Sequence, residues 1–230
     1  MNFSQEWDER FKENSHISIW PWSDLITFVM RYAKPHNTKF RVLELGCGAG
    51  ANIPFFTSFN NVVYYAIDGS STIIQRLKEK FPQIKDNLIT GDFTQEIPFN
   101  DKFDLIFDRG ALTCNSTQAI KDCLKNIYDK LNIDGKYIGI DLFSTLHSEF
   151  QKGNATEDNF TKTNYIEGPY ANTGRVHFFD KSHILDLFAK FDILRLEHKV
   201  TKIEIPENSK YTLASWNLLA KKKQFLIEAS

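Results

Sequence analysis

At residue 45 an apolar run breaks directly into glycines: Lys39 to Leu45 (KFRVLEL) leads into Gly46-Cys47-Gly48-Ala49-Gly50-Ala51. A short apolar run closed by a turn residue reads as a buried strand, and Ala49 to Phe59 after it reads as a helix. Strand, glycine turn and helix together open a parallel βαβ unit, in which small residues let the backbone approach a ligand closely.

The alternation then continues. Asn61 to Ile67 is a second strand, and Ser70 to Lys80 a second helix, with hydroxyl caps, Ile73, Ile74 and Leu77 at helical spacing, and Pro82 after it. Asn87 to Thr90 and Phe103 to Phe107 read as strands, Thr117 to Leu131 as a helix stopping near Asn132 to Gly135, and Lys136 to Asp141 as a fifth strand. Ser144 to Thr173 reads as an irregular loop, far longer than the usual connection of roughly 2 to 6 residues. A helix at His183 to Phe188 and strands at Phe191 to Lys199 and Tyr211 to Lys221 follow, the last two suiting an antiparallel hairpin. The pattern predicts an α/β fold, a mostly parallel sheet with an antiparallel C-terminal edge and helices on both faces. Residues 1–38 read as a helical, aromatic N-terminal segment, and 39–230 as the main domain with the 144–173 loop beside its site. Ligands of such sheets sit outside the carboxyl ends of the strands.

Composition narrows the function. Lys and Arg number 28 against 29 for Asp and Glu, a net charge of −1, so no basic field is present to hold nucleic acid. Apolar runs fall well short of the roughly 18 residues of a membrane span. The charged opening MNFSQEWDERFKE has no signal core, and Cys47, Cys114 and Cys123 form no Cys-x-x-Cys pair. A cytoplasmic protein without disulfides is expected. Asp108 and Asp141 lack a third oxygen ligand, so no metal site is expected either.

The acids at the strand ends define the cofactor. Gly46, Gly48 and Ala51 fit the dinucleotide pattern G-x-G-x-x-G/A, which a nicotinamide enzyme would also use. Asp68, at the end of the second strand, is placed to accept both ribose hydroxyls of an adenosine in either reading. Glu44 before the glycines and Asp92 after the third strand add negative charge that a pyrophosphate would repel and a sulfonium would welcome.

These residues resemble the class I S-adenosylmethionine-dependent methyltransferases, through VLELGCGAG, the Asp of YYAIDGS, GDF at 91–93, FDLIFDRGAL at 103–112 and LNIDGKYIGID at 131–141. The resemblance implies a Rossmann-like methyltransferase fold with a seven-stranded sheet. It places Glu44, Gly46, Cys47, Gly48, Gly50 and Asn52 along the cofactor, Asp68 and Gly69 at its ribose, and Asp92 and Phe93 at its adenine. Asp108 and Arg109 would stand beside the methionine moiety. DRGAL at 108–112 looks like thiopurine-type small-molecule methyltransferases, while HISIWPWSD at 16–24 and FSTLHSEF at 143–150 look like a bacterial subgroup associated with surface polysaccharides. The expected activity is methyl transfer from S-adenosylmethionine to a small molecule or a sugar or glycan acceptor, at oxygen. A hydroxyl acceptor needs a base, for which His147, His177 and Asp108 are the candidates. Trp20, with Pro21 and Trp22, would cover the sulfonium as a lid. A nicotinamide oxidoreductase and a non-catalytic adenosine-ligand binding module remain as alternatives.

Overall fold

The structure is a computed structural model that describes residues 5–14, 18–35, 38–206 and 210–223. His16 and Ile17 of the HISIWPWSD stretch lie outside the described residues. Five strands, β1 (Phe40–Leu45), β2 (Val62–Asp68), β3 (Leu88–Thr90), β4 (Phe103–Arg109) and β5 (Leu131–Phe143), pair in parallel. Three short strands, β6 (Asn154–Ala155), β7 (Thr161–Thr163) and β8 (Val176–His177), form a separate antiparallel sheet that we call the cap. The antiparallel pair β9 (Phe191–Lys202) and β10 (Thr212–Lys222) then completes the main sheet, in the order β3-β2-β1-β4-β5-β10-β9.

Alternating side chains of the strands feed two cores, one on each face. On one, Leu43 and Ile106 meet Ile120, Leu124 and Ile127 of α5 (Thr117–Lys130) and Ile184 and Leu187 of α6 (Lys181–Leu187). On the other, Val42, Leu105 and Phe107 meet four N-terminal helices. These are α1 (Gln5–Lys12), α2 (Ser23–Phe28, continued by a π turn at Val29–Ala33), α3 (Ile53–Thr57) and α4 (Ser71–Lys80).

The predicted seven-stranded fold is the observed one, with local differences. The helix after β1 spans only Ile53–Thr57 because the glycine turn continues to Asn52. Asn132 to Gly135 is no turn: β5 starts directly after α5, and a Cβ on Gly135 would stand 2.8 Å from the Phe103 carbonyl, so its glycine permits close strand packing. The 144–173 stretch is not irregular throughout, since it holds a 3-10 turn at Ser148–Gln151 together with β6 and β7; strands of two or three residues are too short for periodicity to reveal.

Candidate functional site

Parallel strands bring their carboxyl ends to one edge, and there a cleft of about 440 Å³ opens. Its first wall is the glycine turn. Gly46 has φ +67°, and a Cβ there would lie 2.4 Å from that of Ala111, so only glycine lets the turn pack on the loop after β4. Gly48 has φ +48°, and its missing Cβ would meet nothing nearer than the Phe11 ring at 3.7 Å, which leaves backbone exposed to a ligand. Asp68 ends β2 and fastens this turn: Oδ2 accepts from the Gly48 N–H and Oδ1 from the Ser70 N–H, both at 2.9 Å. Ser70, rather than Asp68, caps α4 by accepting from Ile73 N. Burial raises the Asp68 pKa against the lowering by these two amides.

Glu44 lies beneath the turn, hydrogen-bonded to Tyr64 Oη and to Asn52 Nδ2 at 2.8 Å. Burial, with Asp68 and Asp108 nearby, pushes its pKa up to about 8. Burial thus opposes the negative charge expected of it at neutral pH. Asp92 follows β3, where Oδ1 accepts from Thr94 N at 3.0 Å and Thr94 Oγ1 at 2.6 Å.

The cleft brings together Glu44, Gly46, Cys47, Gly48 and Asn52, and beside them Asp68, Gly69, Asp92 and Phe93. Arg109 stands on the opposite wall with Cys114, Asn115, Phe143, Tyr170 and Arg175. Trp7, Phe11 and Trp22 of the N-terminal segment close it from above.

Other predicted residues lie elsewhere. Gly50 is packed inside, since a Cβ would meet Leu77 Cδ2 at 2.6 Å and Ile53 Cδ1 at 2.8 Å. Asp108 is fully buried behind the wall: Oδ2 accepts from Ala111 N at 2.9 Å and Leu112 N at 3.0 Å, Oδ1 binds Tyr137 Oη, and burial pushes its pKa up to about 6. His147 is buried too, its Nδ1 accepting from Glu149 N at 3.1 Å, and its ring is surrounded by Phe143, Tyr170 and Tyr211. His177 has no exposed surface; it contacts Thr161 Oγ1 at 2.8 Å and His183 Nε2 at 3.1 Å, and burial beside His183 pushes its pKa down to about 3. All four residues hold the walls in place rather than face the cleft. Trp20 is 76% exposed and off the cleft; Trp22 is the aromatic that enters, stacked 3.6 Å from the Arg109 guanidinium.

Arg109 is also paired, with Nε and Nη2 each 3.1 Å from Asp141 Oδ2. Arg175 is exposed and has no hydrogen-bond or ion-pair partner among the described residues. It and Tyr170 escaped the sequence reading because the cap carries no motif, and only its fold brings them opposite the glycine turn. Among the described residues no group of His, Cys, Asp and Glu could hold a metal ion, and no helix is long and apolar enough to cross a membrane.

Known proteins share this architecture. A family model described as a methyltransferase domain matches residues 42–135. A malonyl-[acyl-carrier protein] O-methyltransferase from Bacillus anthracis is 24% identical over 175 residues, covering 70% of this chain. The chain spans 63% of the length of that relative. An S-adenosylmethionine-dependent methyltransferase structure from Anabaena variabilis superposes with a TM-score of 0.66 at 14% identity, covering 96% of this chain and 93% of that one. The N-methyltransferase NodS from Bradyrhizobium japonicum, solved with S-adenosylhomocysteine, gives 0.59 at 13% identity with 87% of each chain covered. A dinucleotide-binding sheet of order 3-2-1-4-5-6 would carry a sixth parallel strand where β10 runs antiparallel. The chain thus has the Rossmann-like methyltransferase fold, and its residues 42–135 match the methyltransferase domain model.

Proposed function

We propose that the protein is an S-adenosylmethionine-dependent methyltransferase acting at an oxygen of a small molecule or of the reacting end of a larger one, a sugar or glycan included. The observation that carries this reading is the open backbone at Gly48 beside the Asp68 carboxylate, on the wall that also holds Asp92. The residues fit the cofactor. Each Asp68 oxygen accepts one amide and keeps a lone pair for a ribose hydroxyl, and the buried Asn52 Oδ1 has no partner. Asp92 and Phe93 line the same cleft, which supports them as the contacts of an adenine. When bound, S-adenosylmethionine supplies a methyl group on a positively charged sulfur. The protein's part is to align an acceptor with it and exclude water. Trp7, Phe11 and Trp22 serve that exclusion as a lid. The name of the Bacillus anthracis relative supports oxygen as the acceptor atom.

Thermal unfolding and calorimetry test the reading. S-adenosylhomocysteine should raise the melting temperature, as a ligand of the native state does, and NAD should not. A shift with NAD and none with S-adenosylhomocysteine overturns it.

A further inference from the structure

The wall facing the glycine turn has an unusual charge balance. Its titratable side chains on the cleft are Arg109, Cys114, Tyr170 and Arg175. Burial pushes the Cys114 thiol up to about 12 and raises the Tyr170 phenol, so neither takes a proton near neutral pH. His177 is turned into the cap, and His147 stands behind Tyr170, its Nε2 3.4 Å from the Tyr170 Oη, with neither ring lining the cleft. Arg109 is matched by Asp141 and sandwiched against Trp22. Arg175 brings a guanidinium with no partner among the described residues to the cleft between Thr173 and Val176. Trp22, Phe143, Pro169 and Val176 add apolar surface, beside the neutral polar side chains of Thr113, Asn115 and Thr173.

We infer that the acceptor is a carboxylate on an apolar body, and that Arg175 is the side chain that binds it. The inference rests on the methyltransferase reading and gives it a substrate class. Two observations meet in it. A guanidinium matches a carboxylate with paired hydrogen bonds, and Arg175 presents one to the cleft with its donors not taken by any described residue. A wall with no base also suits an acceptor that arrives deprotonated. A carboxylate oxygen forms the new O–CH3 bond with its own lone pair, the S–CH3 bond breaks with its pair left on sulfur, and the products are a neutral methyl ester and S-adenosylhomocysteine. No proton is transferred, so none of the candidate bases is required. A hydroxyl or an ammonium would have to lose a proton to a group this wall does not supply.

The test uses the full chain saturated with S-adenosylhomocysteine, into which matched ligands are titrated by calorimetry. Phenylacetate and hexanoate are compared with 2-phenylethanol, 2-phenylethylamine and 1-hexanol. The carboxylates should bind and the alcohols and amine should bind at least about 10-fold more weakly. Arg175→Gln should weaken carboxylate binding by about 10- to 100-fold, the scale of hydrogen bonds to a charged group, with S-adenosylhomocysteine affinity unchanged. Arg175→Lys should recover part of the loss. With S-adenosylmethionine the carboxylates should yield methyl esters detectable by mass spectrometry. Absence of carboxylate binding, alcohols or amine bound as well as carboxylates, or Arg175→Gln binding phenylacetate like the wild type would each overturn the inference. Failure of S-adenosylhomocysteine itself to bind, seen before any acceptor is added, would instead overturn the methyltransferase reading.

Discussion

The two walls of the cleft are held by bonds of different reach. On the glycine wall, Asp68 bonds Gly48 and Ser70, Glu44 bonds Asn52, and Asp92 bonds Thr94, all within the two βα units that open the sheet and the residues just after β3. On the cap wall the bonds reach further than the 20 positions between Asp68 and Gly48: Asp158 accepts from Thr117 N across 41 positions and Arg10 donates to Asn172 O across 162. The first wall is set by strand ends that the sheet itself fixes. The second exists only once separate segments have docked.

Breaking one anchor in each wall separates them. Asp68→Ala removes the acceptor of two backbone amides and the proposed ribose partner together. It should reduce S-adenosylhomocysteine affinity by about 1.5 to 3 kcal/mol and lower stability by a similar amount, read by calorimetry and denaturant unfolding. Asp158→Ala unties the cap, because Asp158 accepts from Thr117 N, Phe160 N, Thr161 N and Thr161 Oγ1. Stability should fall by about 1 to 3 kcal/mol, while S-adenosylhomocysteine affinity holds and acceptor KM rises. Equal loss of cofactor affinity in both variants would show that the walls are one unit.

The same difference decides what could be read before any fold was known. Glu44, Asp68 and Asp92 each sit at or just past the end of an apolar run, so periodicity alone places them at the sheet edge. Gly46 and Gly48 follow from the strand-to-helix break, but Gly50 does not separate from them in sequence, because what it avoids is the distant Leu77 side chain. The cap defeats the same reasoning. Its strands span two or three residues, and its histidines resemble bases in composition while their partners, Thr161, His183 and Tyr170, are brought to them by tertiary docking. A lone His is uninformative until its burial is known. Arg175 carries no pattern at all and stands out only because no described residue pairs with it.

Titration should pull the two walls in opposite directions. His177 has its pKa depressed to about 3, below an unfolded value near 6.5, so its contribution is intact above about pH 6.5 and is lost as pH falls toward 3. Glu44 has its pKa raised to about 8, above an unfolded value near 4.5, so its contribution is intact below about pH 4.5 and is lost as pH climbs to 8. Hydrogen exchange at pH 5 should loosen β7 and β8 before β1 and β2, and His177→Gln should remove that acid sensitivity. Glu44→Gln should flatten the alkaline limb instead. A cationic ligand beside Glu44 favours its ionised form, so S-adenosylmethionine binding at pH 7 should release a fraction of a proton in the wild type and none in Glu44→Gln, measured by calorimetry in buffers of different ionisation enthalpy.

The smallest effect concerns the element that touches both walls. On α1, Asp8 accepts from Ser70 Oγ and from Thr72 N at 3.3 Å, while Arg10 donates to the Asn172 and Ala171 carbonyls of the cap. Arg76 on α4 donates to the Phe11 carbonyl at 2.7 Å. Trp7 and Phe11 of the proposed lid line the cleft, and Arg10 ties α1 to the cap. Arg10→Ala leaves the α4 attachments intact, so the fold and its melting temperature should change little. The lost bonds are partly solvated and worth about 0.5 to 1.5 kcal/mol. That cost falls on the closed state, so S-adenosylhomocysteine should leave roughly 2- to 10-fold faster in stopped-flow measurements, with its association rate nearly unchanged. If Arg10→Ala left the dissociation rate unaltered, α1 would be a fixed part of the glycine wall and the cap would open without it.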